Sequence, residues 1–260
     1  MFQASMKLLT FIYLTLSISA VMVVEGGYRV RNGKQFKDWT NNPFKYIVLL
    51  SGTSYCTGSI ANKNTIFTAA HCVCGRSNPL FFIKGGLLNK DQSKEAVLIE
   101  KAFPNPRYIF CRSPRMFPSG YDTAVIKTKE TIQFTEKTTV ASFSYNYFPE
   151  GGRKVIMAGY GYDKGNDLGI LRYANGIVDP FCNYREFHGK MICVVGADQT
   201  VLHQVKNGDS GGPLIDALDT NLVLGIVSGH REERREGKLI SLVSGYASIN
   251  LNEDFLKSHF

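Results

Sequence analysis

Past residue 29 the chain is punctuated by short apolar runs: Tyr46–Leu50, Ala96–Ile99, Ala124–Ile126, Lys154–Ala158 and Leu222–Val227. Gly, Asn, Pro and Ser bound them. Runs this short predict strands, and their close spacing predicts an all-β barrel or sandwich. Helical periodicity is confined to the C-terminus, where Leu251, Phe255 and Leu256 share one face. Asn252, Glu253 and Asp254 lie near its start, where acidic side chains suit the helix dipole. No Pro- or Ser-rich linker divides the chain, so two β halves would meet through a short connection near residues 136–150. No stretch is of low complexity, and no repeat of solenoid length occurs.

The first residues break the pattern. Lys7 precedes an apolar run, Leu8 to Val24, interrupted only by Thr and Ser, with small residues near Ser19-Ala20. This reads as a signal peptide over residues 1–20. An uncleaved membrane anchor is the other reading; the hydroxyl residues and borderline length weigh against it. No later segment is apolar enough to span a bilayer, so no other membrane contact is expected.

The 260 residues are ample for a sizeable core, in one domain or two smaller ones. The net charge of +8 admits nucleic acid, an anionic surface or an acidic substrate as partner. The Lys and Arg are scattered without a long basic run, so they read as solvating charge and no nucleic-acid partner is expected. An even count of six cysteines behind a signal peptide favours three disulfides in an oxidising compartment, hence a secreted, extracellular protein. Cys72-Val73-Cys74 has the wrong spacing for a zinc knuckle, and no metal is implied. There is no Asn-x-Ser/Thr glycosylation site.

Acyl transfer by a hydroxyl requires a nucleophile, an imidazole to take its proton, a buried carboxylate to hold the imidazole, and N–H donors for the oxyanion. Three segments supply these types: Thr68-Ala69-Ala70-His71-Cys72, Tyr121-Asp122-Thr123-Ala124-Val125-Ile126, and Asn207-Gly208-Asp209-Ser210-Gly211-Gly212-Pro213-Leu214. Alone, His71 reads as an ordinary packed or surface histidine, Asp122 as a turn cap and Ser210 as a loop serine. Together, in the order His, Asp, Ser, they resemble the chymotrypsin-like serine proteases, which include trypsin, elastase and the granzymes. The resemblance runs from about Arg29 to the end.

The resemblance implies two packed six-stranded antiparallel β-barrels, about 30–135 and 136–250, and a C-terminal helix at about 251–260. It makes His71 the general base and then acid, Asp122 the residue that fixes its tautomer, and Ser210 the nucleophile. The N–H groups of Gly208 and Ser210 would form the oxyanion hole, and no cofactor is needed. It also implies a zymogen with a propeptide at 21–29. A trypsin-like activating protease would cut after Arg29 and free the amine of Val30 to pair with Asp209. Arg31 and Asn32 depart from the family's usual sequence there, and Arg29 as a plain surface residue stays open. The expected substrates are proteins or peptides, and the expected state is a monomer.

Among the cysteines, the resemblance implies Cys56–Cys72 and Cys182–Cys193. The family's bond across the primary pocket is missing, because Lys206 stands where it would begin. Cys74 and Cys111 remain, on loops that flank one side of the cleft in this fold, and are expected to pair. A family calcium loop would fall at Gly85–Glu95, which matches it poorly.

For specificity, Gln204 takes the position at the base of the primary pocket, where trypsin has Asp, so trypsin-like cleavage is not expected. Ser228-Gly229-His230 replaces the usual Ser-aromatic-Gly wall, which removes one subsite wall and sets an imidazole at the pocket mouth. Counted without a gap to Val243-Ser244, Lys238 falls where granzyme B carries its pocket arginine. An acidic residue before the scissile bond would then be preferred. Lys238 as part of the exposed charged loop 231–236 is the competing reading. The unusual pocket also leaves open a catalytically weak, protease-like binding protein with an occluded pocket. A basic protein held on anionic glycans rests on net charge alone.

Overall fold

The computed structural model describes residues 30, 32–38, 40–52, 54–75, 82–85, 88–89, 96–113, 117–162, 169–198 and 203–260. Residues 1–29, where a signal peptide and propeptide are expected, and Arg31 lie outside these residues, as does most of the 85–95 loop.

Each apolar run named above lies in or overlaps a strand. After a short β1 (Lys34–Gln35), six strands form the first half: β2 (Ile47–Ser51), β3 (Tyr55–Asn62), β4 (Thr65–Thr68), β5 (Phe82–Gly85), β6 (Val97–Pro104) and β7 (Ala124–Thr128). They close a barrel in the order β2-β3-β4-β7-β6-β5. Thr65-Ile66-Phe67-Thr68 is buried throughout; β-branched and aromatic side chains pack well on such a two-sided strand.

The second half comprises β8 (Ser142–Phe143), β9 (Lys154–Gly159), β10 (Arg172–Val178), β11 (Ile192–Gly196), β12 (Pro213–Asp216), β13 (Leu222–Arg235) and β14 (Lys238–Ser248). Its path is β10-β11-β14-β13-β12-β9, and a β9–β10 pairing returns the sheet on itself. β1 pairs with β10, and β8 lies parallel to β13. The fold is therefore the all-β chymotrypsin-like architecture, with one short C-terminal helix, α1 (Glu253–Ser258), entered through a 3-10 turn at Asn250–Asn252. That helix is shorter than the 251–260 expectation, because the turn takes up its first residues. Leu256 is its buried anchor, and Glu253 and Asp254 occupy its first turn.

One apolar cluster crosses between the halves. It joins Tyr46, Ile47, Phe67 and Val125 of the first to Ile156, Tyr160, Ile215 and Val223 of the second. Buried phenols need partners, and two of these cross the same boundary: Tyr46 donates to the Thr220 carbonyl at 2.7 Å, and Tyr160 to the Ile47 carbonyl at 3.3 Å. The two halves are thus joined by apolar packing and by these two hydrogen bonds.

Candidate active site

Antiparallel pairing of β4 with β7 sets Thr68 opposite Ala124. The residues just after β4 therefore lie beside those just before β7. His71, in a 3-10 turn at Ala70–Cys72, meets Asp122 in this way. The His71 N–H donates to Asp122 Oδ1 at 2.9 Å, and His71 Nδ1 lies 2.6 Å from Asp122 Oδ2. Asp122 is fully buried. Ser228, from β13 in the other half, donates its hydroxyl to Asp122 Oδ2 at 2.7 Å and accepts the Ser119 N–H at 2.9 Å. A buried carboxylate held by donors on both oxygens fixes the imidazole, with the Nδ1 face toward Asp122.

Ser210 sits in the turn before β12. Its carbonyl accepts the Thr57 N–H from β3 at 2.8 Å, and Thr57 Oγ1 donates to the Gly208 carbonyl at 2.8 Å. Two glycines make this turn possible. Gly208 has φ +93° and Gly211 φ +81°, in the region that side chains rarely enter. A Cβ on Gly211 would also lie 2.0 Å from Thr68 Oγ1. Neither the Gly208 nor the Ser210 N–H donates to a backbone carbonyl among the described residues. His71 and Ser210 line one cleft of about 240 Å³.

Asp209 points the other way and is fully buried. Its carboxylate accepts the Gly161 N–H at 2.8 Å and the Lys206 N–H at 2.9 Å. Burial pushes its pKa up to about 7; those two bonds and the charge of Arg172 pull against the rise. Val30 is also buried and packs into the core of the second half.

The cysteines are joined as Cys56–Cys72, Cys182–Cys193 and Cys74–Cys111. The first ties the His71 turn to β3. The third holds the 3-10 turn at Ile109–Arg112 against Ala70, together with Tyr108.

The Trypsin family model matches residues 34–251. The chain belongs to the trypsin family of serine proteases. Its curated relatives include a cercarial protease of Schistosoma mansoni, 29% identical over 248 residues, covering 88% of this chain and 89% of that protein. A chymase of Canis lupus familiaris is 26% identical over 77% of this chain and 78% of its own length. Among solved structures, mouse neuropsin aligns with a TM-score of 0.69 at 18% identity, over 87% of this chain and 98% of its own. Human heparin binding protein aligns at 0.67, also at 18% identity, over 88% and 95%. At that identity the structures speak for the fold alone.

Within this trypsin-family cleft, the specificity residues scatter. Ser228, Gly229 and His230 line it. Gln204 does not: its buried amide donates to the carbonyls of Arg231 (2.6 Å) and Val243 (3.2 Å), bracing β13 against β14. Lys238 is corrected outright. The β13–β14 ladder continues to Arg235↔Lys238, so Lys238 is exposed at the hairpin's tip, outside the cleft. A gap-free count fixes only spacing, whereas the segment extends as a two-stranded ribbon with two register shifts that carries Lys238 away from the cleft.

Sequence reasoning missed other lining groups. Phe117 and Pro118 close the side that Gly229 leaves bare, and a Cβ on Gly229 would lie 2.5 Å from Pro118 Cγ. Tyr108 and Lys206 line the cleft too. Lys206 was visible in the sequence only as a missing cysteine.

Proposed function

We propose that the chain is a secreted serine endopeptidase, made as a zymogen, which cleaves peptide bonds with His71, Asp122 and Ser210. The observation that carries this reading is the contact between His71 Nδ1 and the buried Asp122 carboxylate, in the cleft that Ser210 shares. With Nδ1–H committed to Asp122, Nε2 is the basic nitrogen. It takes the Ser210 proton as Oγ bonds to the scissile carbonyl carbon. The N–H groups of Gly208 and Ser210 receive the oxyanion. The imidazolium then protonates the leaving amine, the C–N bond breaks, and an acyl-enzyme remains. Water, deprotonated by His71, releases the acid product. No step calls for a cofactor.

Zymogen control is read from Asp209. A carboxylate that burial has driven toward neutrality gains most from a new cation. Cleavage after Arg29 by a trypsin-like protease would free the Val30 amine beside the second-half core to supply it. Residues 1–20 would be the signal peptide and 21–29 the propeptide. His230 and Lys206 in the cleft favour a second reading, a protease-like binding protein with an occluded pocket.

The test is hydrolysis of a peptide library by protein cut to begin at Val30, beside Ser210→Ala. Serine-dependent turnover that drops by several orders of magnitude in the variant supports the enzyme. Equal rates, or none from the wild type, sink it in favour of the binding protein.

A further inference from the structure

Resting on that protease reading, we propose that the cleft selects peptides with Asp or Glu immediately before the scissile bond, and that Lys206 selects them. Lys206 is buried, at 6% exposure, yet it lines the cleft with Val205, Val227, Gly229 and His230. Its Nζ lies 3.0 Å from Oε1 of Glu232. The other oxygen of Glu232 lies 3.2 Å from a guanidinium nitrogen of Arg234. One carboxylate thus lies between two cations, Lys206 and Arg234. The neighbouring Arg231 is matched by Glu186 at 2.9 Å. The cation is the buried member at the cleft, while Glu232 and Arg234 lie toward solvent.

The surroundings sharpen this bias. Burial and the charge of Lys206 hold the His230 imidazole down to about 4, with Glu232 opposing, so at neutral pH it adds hydrogen-bonding capacity but no charge. Val205 and Val227 are apolar walls, and a charge interaction beside them is stronger than in water. A Lys or Arg side chain entering the cleft would meet Lys206 head-on. A carboxylate would accept from the ammonium while Glu232, one-third exposed, turns to Arg234. Lys238, at the tip of the hairpin, takes no part.

The experiment compares peptides identical except for Asp, Glu, Leu, Phe or Lys before the cut. Hydrolysis by protein cut at Val30 is measured, as is binding of the labelled peptides to its Ser210→Ala form by fluorescence anisotropy. The expected result is an acidic preference of about tenfold or more in both. Lys206→Met should abolish it and Glu232→Gln enlarge it. A wild type that favours Leu, Phe or Lys overturns the proposal, as does an acidic preference that survives Lys206→Met. If Lys206→Met fails to fold by circular dichroism, an acidic preference unchanged in Glu232→Gln overturns it instead. Acidic binding without hydrolysis rejects the protease reading and upholds the Lys206 assignment. Hydrolysis without acidic preference does the reverse.

Discussion

The side-chain amide of Asn105 donates to Asn252 Oδ1 at 2.9 Å, and both residues are buried. Asn252 Nδ2 donates in turn to the carbonyls of Gly120 (2.8 Å) and Ser248 (2.7 Å), and Asn105 reaches Thr123 Oγ1 at 3.1 Å. Gly120 and Thr123 bracket Asp122. The C-terminal turn therefore clamps the loop that carries the carboxylate. Asn252→Leu leaves the Asn105 amide and two carbonyls without this partner, and each orphaned group costs about 1–3 kcal/mol. The variant is expected to lose about 3 kcal/mol or more in denaturant unfolding, with turnover falling alongside. Unchanged stability would show the network to be dispensable.

Ser228 acts on the same carboxylate from the other half. Ser228→Ala removes a 2.7 Å donor from Asp122 and the acceptor for the Ser119 N–H. His71 then rests on a less constrained partner. A loss of about 1.4 kcal/mol at this step corresponds to about tenfold in kcat. Steady-state kinetics check it. Because Ser228 also lines the cleft, a change in KM alone would assign it to substrate binding rather than to Asp122.

The Cys74–Cys111 bond closes a loop with a sequence separation of 37 residues beneath the His71 turn. Loop-closure entropy predicts a cost of about 2–4 kcal/mol on its removal. The double variant Cys74→Ala with Cys111→Ala should unfold earlier by that amount. Peptide mapping without reduction should recover the Cys74 and Cys111 peptides joined. Recovery of either as a free thiol contradicts the pairing.

Sequence served the fold well, and the structure brings His71, Asp122 and Ser210 together at one cleft, because both the strands and these three segments rest on local signals. Strand-length apolar runs need only the period of the backbone. The eight residues around Ser210 combine the proposed nucleophile with the glycines that its turn requires, so chemistry and geometry are written together. The pocket is different, since its walls depend on the register of a long hairpin and on which way buried side chains turn. Lys238 was misplaced by a count that could not foresee the ladder running on to Arg235. Gln204 does not line the cleft, and its side-chain NH2 is taken up by the carbonyls of Arg231 and Val243. Pro118 reaches Gly229 from 111 positions upstream, a contact that no local pattern encodes.

Asp209 and His230 give the uncut chain two opposed pH dependences. The folded carboxyl of Asp209, pushed up to about 7 from an unfolded value of about 4, binds a proton that the unfolded chain has released. Its contribution to stability is full below about pH 4 and is lost as pH rises through about 7. His230, held down to about 4 from about 6.5, behaves oppositely. Its contribution is full above about 6.5 and is lost as pH falls through about 4. Arg172 favours the charged form of Asp209, and Glu232 that of His230; burial and Lys206 keep His230 from charging. Melting temperatures of the uncut chain between about pH 4 and 7.5 separate the two. Asp209→Asn should leave the His230 effect alone, so acidification from about pH 7 to 4 should destabilise the variant more than the wild type. His230→Gln should leave the Asp209 effect alone and destabilise less. Cleavage after Arg29 should act like Asp209→Asn in this respect, because a Val30 amine beside the carboxylate lowers its pKa and removes the raised-carboxyl effect. If the wild type and Asp209→Asn show the same slope, Asp209 does not titrate in this window, and the electrostatic basis for zymogen control falls with it.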